Sequence, residues 1–373
     1  MRTQVIKIDP SNIDMDRIRE AAGRIDAGAL VAFPTETVYG IACRAGGDSL
    51  NKLAGLKERS GEKHFTLHIA QPNDARTYVP TIRLSAQKLI QSAWPGPVTI
   101  VFELDEQDLD QQKEELEQDV FESLYKSPTI GIRCPDDPVA HQLLSHTVHP
   151  VVAPSANLAG ASPAVNGEQV LESLSGRIDM VLDAGPSKYG LNSTVVKIGK
   201  KGLEILRPGV RSQEHVRISS MVKFLFVCTG NTCRSPMAEG IFRKYLAEKL
   251  NANVDEMEKI GYTVESAGMM GSVGFPASSQ SVRACAERGV DITAHRSKAL
   301  TEKLIEESDF IFVMDSVHYQ RVVSLVPEAA DRCMLLDERG DVPDPIGQSQ
   351  DVYDRCADQI EKAVKKRLSE LVI

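Results

Sequence analysis

The chain has 373 residues, of which 42% are hydrophobic and 25% are charged, and its formal net charge is −9. This composition is typical of soluble globular proteins, and the length favours two domains over one hydrophobic core. The acidic balance argues against a general nucleic-acid-binding protein, although it permits a local basic pocket.

The cysteine pattern and the lack of long apolar runs predict a cytoplasmic protein. Seven scattered cysteines, an odd number, do not form a disulfide framework and fit a reducing compartment. The first residues, M-R-T-Q-V-I-K-I-D-P, lack the apolar segment of a signal peptide. No apolar run approaches the length that spans a bilayer, so we expect no contact with a membrane.

The first part of the chain alternates predicted helices with short apolar strands. A helical stripe of apolar residues covers 13–27, and a second helix covers about 50–56. The acidic stretch 103–122 has few apolar residues and predicts a solvated helix or an insertion. Asp137 is placed to cap a helix over 138–146. The predicted strands are 29–33, 66–70, 98–102, 129–133, 151–153, 181–183, 193–198 and 204–206.

A cluster of cations follows the second predicted helix. Lys57, Arg59 and Lys63 are close together in the sequence, and such a run is usually a solvated helix end. However, polar turns follow predicted strands at 35–37 and 155–157, and loops at strand ends often carry binding residues. The residues alone therefore leave two interpretations open, a solvated helix end or an anion pocket for a ligand such as a nucleotide.

The order of the short motifs in this region resembles that of threonylcarbamoyl-AMP synthases. The motifs are P-T-E-T-V-Y-G, Lys57-x-Arg59, W-P-G-P-V-T, G-I-R-C-P, P-S-A-N, S-T-V and R-P-G-V, within residues 10–212. The resemblance implies an enzyme that joins L-threonine, bicarbonate and ATP, with Mg²⁺ bound to the ATP, into threonylcarbamoyl-adenylate and releases pyrophosphate. A tRNA-modifying threonylcarbamoyl transferase would then accept the product.

The resemblance also implies which residues form this site. ATP and its phosphates would contact Lys57, Arg59, Lys63, Ser155, Asn157 and Arg207. Threonine or its carbamate would contact Thr35, His68, Arg133 and Ser193. A triphosphate requires several cations, and a carboxylate suits the planar fork of an arginine. Ser60 and His64 stand where the family often has prolines. The alternative, an RNA-binding or regulatory module without synthesis activity, fits neither the acidic charge nor the retained site residues.

A polar segment over 213–220 is predicted to link the first domain, 1–212, to a second domain over 221–373. In the second domain, predicted strands alternate with helices, which favours a parallel sheet covered on both faces. The sequence thus predicts an α/β protein, with a mixed twisted α/β domain followed by a parallel-sheet α/β domain. The predicted strands of the second domain are 224–227, 262–265, 310–314 and 332–335, and later helices cover 279–287, 301–308 and 350–371.

The clearest chemical motif is V-K-F-L-F-V-C-T-G-N-T-C-R-S-P-M-A-E at 222–239, a strand that runs into a tight loop and then a helix. Backbone N–H groups and the helix dipole favour an anion at such a loop. Arg234 adds donors for a phosphate, and Cys228 lies where the local field favours a nucleophilic thiolate. Cys228 and Cys233 could instead be half of a metal site, but no second ligand pair follows and we expect no bound metal.

The pattern C-x5-R-S between a strand and a helix resembles the low-molecular-weight protein phosphatases, and this variant is similar to their protein-arginine phosphatase branch. The resemblance implies a cofactor-free reaction on phosphorylated proteins, in which Cys228 attacks phosphorus, Arg234 holds the phosphate and Asp344 protonates the leaving group. It also implies a protective disulfide between Cys233 and Cys228. The loop residues that would support phosphate binding are Thr229, Gly230, Asn231, Thr232, Cys233 and Ser235.

Two other interpretations of the second domain are a phosphotyrosine phosphatase and an arsenate reductase. The reductase needs a further redox pair of cysteines, which the isolated Cys285 and Cys333 do not provide. Thr232 stands where phosphotyrosine phosphatases of this family usually have a larger aliphatic residue, and Ile346 where they usually have an aromatic one. We therefore expect phosphoarginine to be the preferred substrate.

Overall fold

The computed structural model describes residues 2–57, 65–125, 127–271 and 273–373. The chain divides into two compact units, Met1–Ser220 and Met221–Ile373. Both are α/β units, as the alternation of predicted strands and helices indicates. Within the described residues, no helix is both long and apolar enough to cross a lipid bilayer.

The described part of the first unit contains a mixed sheet of ten strands. Its strands are β1 (Gln4–Lys7), β2 (Val31–Phe33), β3 (Gly40–Arg44), β4 (Leu67–His68), β5 (Val98–Glu103), β6 (Thr129–Arg133), β7 (Val151–Val152), β8 (Met180–Asp183), β9 (Thr194–Gly199) and β10 (Gly202–Arg207). They lie in the order β1-β8-β2-β3-β7-β4-β6-β5-β9-β10. Neighbouring pairs are both parallel, as in β5 with β9, and antiparallel, as in β5 with β6.

Helices cover both faces of this sheet. Their bounds are α1 (Met15–Asp26), α2 (Gly47–Leu56), α3 (Leu84–Ala93), α4 (Glu106–Glu115), α5 (Gln118–Leu124), α6 (Pro138–His146), α7 (Gly167–Leu174) and α8 (Gln213–Ser220). On β2, Val31 and Phe33 pack in one core cluster with Ile18 of α1, whereas Ala32 packs in another with Leu53 of α2. Alternate residues of a strand therefore contribute to different hydrophobic clusters on the two faces.

Two predictions for the first unit have clear outcomes. Asp137 caps α6 as predicted, because its side chain accepts hydrogen bonds from the backbone N–H groups of Val139 and Ala140. The acidic stretch forms α4 and α5, which are not wholly solvated, since Val120 and Leu124 are buried. The segment has too few apolar residues to show a helical stripe in the sequence. Those it has are still sufficient to attach the helices to the core.

The segment 213–220, expected to be a linker, is instead the helix α8. Val216 is fully buried in the core of the first unit, whereas Ile218 is 64% exposed. The first unit therefore extends to Ser220 and not only to residue 212. One buried valine in a short polar segment produces no periodicity that the sequence could reveal.

The second unit contains a four-stranded sheet in its described residues, and every neighbouring pair is parallel, as predicted. Its strands are β11 (Val222–Cys228), β12 (Tyr262–Gly268), β13 (Phe310–Val313) and β14 (Cys333–Leu335), in the order β12-β11-β13-β14. Its helices are α9 (Arg234–Leu250), α10 (Ser279–Ala286), α11 (Glu302–Glu307), α12 (Ser316–Leu325) and α13 (Gln350–Glu370). Helix α12 has no counterpart among the predicted helices.

The central strand β11 is packed on both faces. Phe224 and Phe226 contact Phe242 of α9, with ring centroids 4.7 and 5.2 Å apart. Leu225 and Val227 point to the other face and join a cluster with Val322 of α12. This burial fixes the direction of β11, and with it the position of the loop that follows its carboxyl end.

Candidate active sites

The phosphate loop, residues 229–233, joins Cys228 at the end of β11 to Arg234 at the start of α9. It lies at the carboxyl edge of the parallel sheet, where α/β proteins commonly bind ligands. Asn231 has a φ of 54°, in the left-handed region that asparagine tolerates better than most residues. This conformation directs the backbone N–H of Asn231 at the Cys228 sulfur, 3.2 Å away.

The sulfur of Cys228 lies in a buried polar setting, 3.0 Å from Ser235 Oγ. Burial is the largest influence and raises the pKa of the Cys228 thiol above its ordinary value, while hydrogen bonds from Ser235 and Asn231 and the charge of Arg234 oppose that rise. The sequence predicts a thiolate from the donors alone. The structure adds the opposing effect of burial, which disfavours the charged thiolate.

Arg234 is almost completely surrounded by acceptors. Its Nη1 donates to Asp315 Oδ2 at 3.1 Å and to the Val342 carbonyl at 3.0 Å. Its Nη2 donates to Thr229 Oγ1 at 3.1 Å and to Asp344 Oδ2 at 2.7 Å. The structure therefore brings Cys228, Arg234 and Asp344 to one place, with Asp344 paired to the arginine and its side chain 38% exposed.

The phosphate loop is braced from behind through Asn231. The amide Nδ2 donates to Ser235 Oγ and Ser266 Oγ, both at 2.8 Å, and the Lys298 backbone N–H donates to Oδ1 at 2.7 Å. His295 Nε2 lies 2.8 Å from the Asn231 carbonyl. These contacts hold a residue in a left-handed conformation that would otherwise be costly. Asn231 was predicted as a site residue, but its partners Ser266, His295 and Lys298 were not.

The remaining predicted loop residues lie beside the nucleophile. The Ser278 backbone N–H donates to the Thr232 carbonyl at 2.8 Å, and Thr232 Oγ1 lies 3.8 Å from Cys233 Sγ. Cys233 Sγ is 3.4 Å from the Tyr353 hydroxyl, and both Cys228 and Cys233 are free thiols. Thr229 and Gly230 are half-buried in the loop.

A second polar site lies in the first unit, in a cavity of about 110 Å³. Five of the predicted residues line it: His68, Arg133, Ser155, Ser193 and Arg207. They come from the ends of different strands and from the loop after β7, so the fold assembles residues that are distant in sequence. Arg59 and Lys63 lie outside the described residues.

Arg133 is buried at this cavity and paired with Glu36, which the sequence analysis did not select. Nη2 donates to Glu36 Oε1 at 2.9 Å and to Thr37 Oγ1 at 2.6 Å, and Thr35 Oγ1 lies at 3.4 Å. Glu36 Oε2 and Arg133 Nε are buried without a hydrogen-bond partner among the described residues. The guanidinium is thus oriented by an acidic residue, which leaves donor capacity for a ligand.

His68 supplies an acceptor to the same cavity. Nδ1 lies 3.1 Å from the Thr66 carbonyl, and because a carbonyl only accepts, the proton is on Nδ1 and Nε2 is free of it. Burial first, and then the nearby charge of Arg133, lowers the pKa of His68 to about 3. The imidazole is therefore neutral at physiological pH.

Arg207 and Ser193 also line the cavity and contact each other. Arg207 Nη2 donates to the Ser193 carbonyl at 3.0 Å and lies 3.1 Å from Ser193 Oγ. Ser193 Oγ is in turn 2.9 Å from Thr99 Oγ1, a lining residue that the sequence analysis missed. The hydroxyl of Ser193 is held by neighbours on both sides.

Lys57, which is predicted to contact ATP, contacts the turn that carries Ser155 and Asn157. Its buried ammonium donates to the Ser155 carbonyl at 2.9 Å, the Asn157 carbonyl at 2.6 Å and Asn157 Oδ1 at 3.1 Å. Ser155 Oγ also donates to Asn157 Oδ1, at 2.6 Å. Lys57 holds the Ser155–Asn157 turn, so it affects a ligand at that turn through the loop as well as by its charge.

Comparison with known proteins identifies the first unit. Residues 24–209 match the family model described as "Telomere recombination", for Sua5, YciO and YrdC proteins. Threonylcarbamoyl-AMP synthase of Pyrococcus abyssi is 32% identical over 194 residues, 52% of this chain, and the chain spans only 54% of its length. The putative threonylcarbamoyl-AMP synthase of Mycobacterium tuberculosis H37Rv is 32% identical over 200 residues, 53% of this chain and 87% of its own length.

A solved structure supports the same fold. The crystal structure of P. abyssi Sua5 complexed with L-threonine has a TM-score of 0.52 and 22% identity, and it covers 71% of this chain and 92% of that chain. At this identity the likeness establishes the fold alone.

The second unit matches a different family over residues 223–372, the low molecular weight phosphotyrosine protein phosphatases. The protein-arginine-phosphatase of Bacillus subtilis is 37% identical over 152 residues, 39% of this chain and 95% of its own length. The low molecular weight protein-tyrosine-phosphatase Etp of Escherichia coli is 34% identical over 151 residues, 39% of this chain and 93% of its own length. The chain therefore belongs to two families, with a Sua5/YciO/YrdC domain followed by a low molecular weight phosphatase domain.

Proposed function

We propose that the first unit is a threonylcarbamoyl-AMP synthase, which condenses L-threonine, bicarbonate and ATP to threonylcarbamoyl-adenylate and releases pyrophosphate. The observation that carries this proposal is the convergence of Arg133, Arg207 and neutral His68 on one cavity beside the turn held by Lys57. Two arginines suit an amino-acid carboxylate and phosphates, and the His68 acceptor suits a hydroxyl or ammonium. The relatives with this activity support the same assignment.

Magnesium is proposed to enter this site with ATP. Among the described residues, there is no group of three or more His, Cys, Asp or Glu side chains that could hold a metal ion. The Asn157 amide oxygen already accepts hydrogen bonds from Lys57 and Ser155, so the ion would take most of its ligands from phosphate oxygens and water. The proposed acceptor of the product is a tRNA-modifying threonylcarbamoyl transferase.

The test is pyrophosphate release by the purified chain with ATP and magnesium. We expect release that requires both L-threonine and bicarbonate. L-valine in place of threonine tests the polar part of the site, because its methyl group cannot donate to His68 and the buried acceptor would be left unpaired. Release that continues without threonine would contradict the assignment.

We further propose that the second unit is a cysteine phosphatase that removes the phosphoryl group from phosphoarginine in proteins. The observation that carries this proposal is the Cys228 sulfur, with the Asn231 N–H and the Ser235 hydroxyl directed at it and Arg234 and Asp344 beside it. This arrangement provides a nucleophile, a site for the phosphate oxygens and a proton donor.

The proposed reaction has two displacements. The Cys228 thiolate forms a bond to phosphorus while the bond from phosphorus to the guanidinium nitrogen breaks, and protonated Asp344 gives its proton to that nitrogen. Water then attacks the phosphocysteine, with Asp344 accepting its proton, and inorganic phosphate and Cys228 are released. Arg234 and the loop amides hold the equatorial oxygens in both steps, and no metal or redox partner is needed.

Phosphotyrosine is the second candidate substrate, because a tyrosine phosphatase is among the similar proteins. The residues around the nucleophile favour phosphoarginine, since half-buried Thr232 and exposed Ile346 offer a small polar wall and no aromatic surface for a phenyl ring. The test is kcat/KM for a phosphoarginine peptide and a phosphotyrosine peptide of otherwise identical sequence. A higher value for phosphotyrosine would contradict the preference and leave the phosphatase assignment intact.

A further inference from the structure

Arg234 belongs to a closed network that includes a histidine absent from the proposed mechanism. Thr229 Oγ1 lies 3.1 Å from Arg234 Nη2 and 3.0 Å from His318 Nε2. His318 Nδ1 lies 2.7 Å from Asp315 Oδ1, without the alignment of a hydrogen bond, and Asp315 Oδ2 accepts from Arg234 Nη1. Thr229, His318 and Asp315 thus form a ring of contacts with the guanidinium.

Arg234 and His318 are buried, whereas Thr229 and Asp315 are half-buried. His318 is fully buried, and its backbone N–H also donates to Asp315, the residue that caps α12. Burial lowers the pKa of His318, with the charge of Arg234 acting in the same direction and Asp315 opposing it. A neutral imidazole with its proton on Nδ1, facing Asp315, has a lone pair on Nε2. The Thr229 hydroxyl then donates to Nε2, and its lone pairs face Arg234.

Phosphate binding explains why Arg234 needs this support. All four terminal N–H groups are already occupied, and Nε is the guanidinium nitrogen without a hydrogen-bond partner among the described residues. A phosphate gripped by Nε and Nη2 must displace the Asp344 carboxylate from Nη2. Once Asp344 leaves to protonate the leaving group, Thr229 is the remaining anchor on that nitrogen.

We propose that His318 is a positioning residue of the phosphatase site, which acts through the Thr229 hydroxyl to hold Arg234 in place when phosphate displaces Asp344. The inference rests on the proposed phosphatase function of the same site. His318 orients the threonine hydroxyl so that one Nη2 proton stays with Thr229 and the other turns to the phosphate. The guanidinium then presents two parallel N–H donors, Nε and Nη2, to the phosphate. It keeps this position when the Asp344 carboxylate moves away.

The first experiment measures the affinity of the full-length protein for inorganic phosphate by calorimetry, together with hydrolysis of p-nitrophenyl phosphate. His318→Phe keeps an aromatic side chain but removes the acceptor, and we expect phosphate to bind about two- to tenfold more weakly, the range of one hydrogen bond. His318→Gln offers an amide oxygen near the position of Nε2 and should restore most of the affinity. Unchanged affinity in His318→Phe would overturn the proposal.

A matched control separates positioning from general stability. Val322 lies one turn further along the same helix, is fully buried and has no side-chain group that can hydrogen-bond, so Val322→Ala should lower the melting temperature without a comparable loss of phosphate affinity. Equal affinity losses in Val322→Ala and His318→Phe would overturn the proposal.

The final experiment tests whether His318 acts through Thr229. Thr229→Val removes the hydroxyl, and the double variant with His318→Phe should bind phosphate no more weakly than Thr229→Val alone. Additive losses would show that His318 acts independently of Thr229 and would contradict the proposal. If wild-type protein binds phosphate but does not hydrolyse p-nitrophenyl phosphate, the proposed function fails, whereas the phosphate titrations still decide the role of His318.

Discussion

At the Cys228 sulfur, burial and hydrogen bonding act in opposite directions on the thiol. Ser235 is one of the opposing donors, so Ser235→Ala should raise the pKa of Cys228 further. A hydrogen bond to a charged group contributes about 1.5–3 kcal/mol, which corresponds to about one to two pKa units. The measurement is the rate of iodoacetamide alkylation of Cys228 against pH, followed by mass spectrometry. We expect its midpoint to move to higher pH.

The control for this prediction is Ser278→Ala. Ser278 Oγ contacts Cys233 at 3.6 Å and makes no contact with Cys228, so its removal should leave the alkylation midpoint of Cys228 unchanged. An unshifted midpoint in Ser235→Ala would mean that the hydroxyl does not stabilise the thiolate.

Thr232 carries the prediction on substrate choice. Thr232→Ile replaces a small polar side chain beside the nucleophile by a larger apolar one. We therefore expect kcat/KM to fall for phosphoarginine peptides, and the ratio of kcat/KM for phosphotyrosine to kcat/KM for phosphoarginine to rise. The ratio of the two values in wild type and variant is the measurement. Inorganic phosphate affinity serves as the control, because the loop amides and Arg234 are unchanged. A ratio that stays constant would exclude Thr232 as a determinant of specificity.

The role of a single residue could be predicted where it depends on a short motif of neighbouring residues in the sequence. The loop pattern and the Asp-Pro turn suggested Cys228, Arg234 and Asp344, and the structure brings these three together. The partners Glu36 and His318 could not be found in this way, because each meets its arginine only through the fold. Arg133 and Glu36 are 97 positions apart in sequence. The one local signal for His318 was its place three residues after Asp315, at the start of a helix.

At the scale of elements, the parallel sheet and most helices followed from apolar periodicity and capping residues, and the α/β class is confirmed. The main difference is α8, in which Val216 is the buried apolar residue. Val216→Ala removes two buried carbons and should cost about 2 kcal/mol of stability. Ile218→Ala, on the exposed side of the same helix, is the matched control and should change stability little. The stability of both variants is measured by urea unfolding of residues 1–220. Equal urea midpoints of unfolding for the two variants would contradict the assigned packing.

The hydrophobic clusters on the two faces of β2 belong to the first compact unit, and the cluster that includes Leu225 and Val227 of β11 belongs to the second. Each proposed site is built from residues of one unit, so a variant in one site should leave the other activity intact. Cys228→Ser should abolish phosphatase activity and preserve threonine-dependent pyrophosphate release.

The reciprocal variant is Lys57→Ala. Lys57 holds the Ser155–Asn157 turn, and losing charge-assisted hydrogen bonds of about 1.5–3 kcal/mol should reduce kcat/KM for ATP by about ten- to a hundredfold. Hydrolysis of p-nitrophenyl phosphate should be unchanged. A parallel loss of both activities in either variant would show that the two units depend on each other.

The length of the connection between the units has a practical consequence for proteolysis. Helix α8 ends at Ser220 and strand β11 begins at Val222, so Met221 alone separates two ordered elements. Proteases cut most readily in extended chain that can leave the folded body, and one residue does not provide it. Trypsin should therefore fail to split the native protein into its halves, although Arg217 lies exposed on α8. Val216→Ala would loosen that helix and make Arg217 a cleavage site, so digestion becomes a readout of how firmly α8 is held.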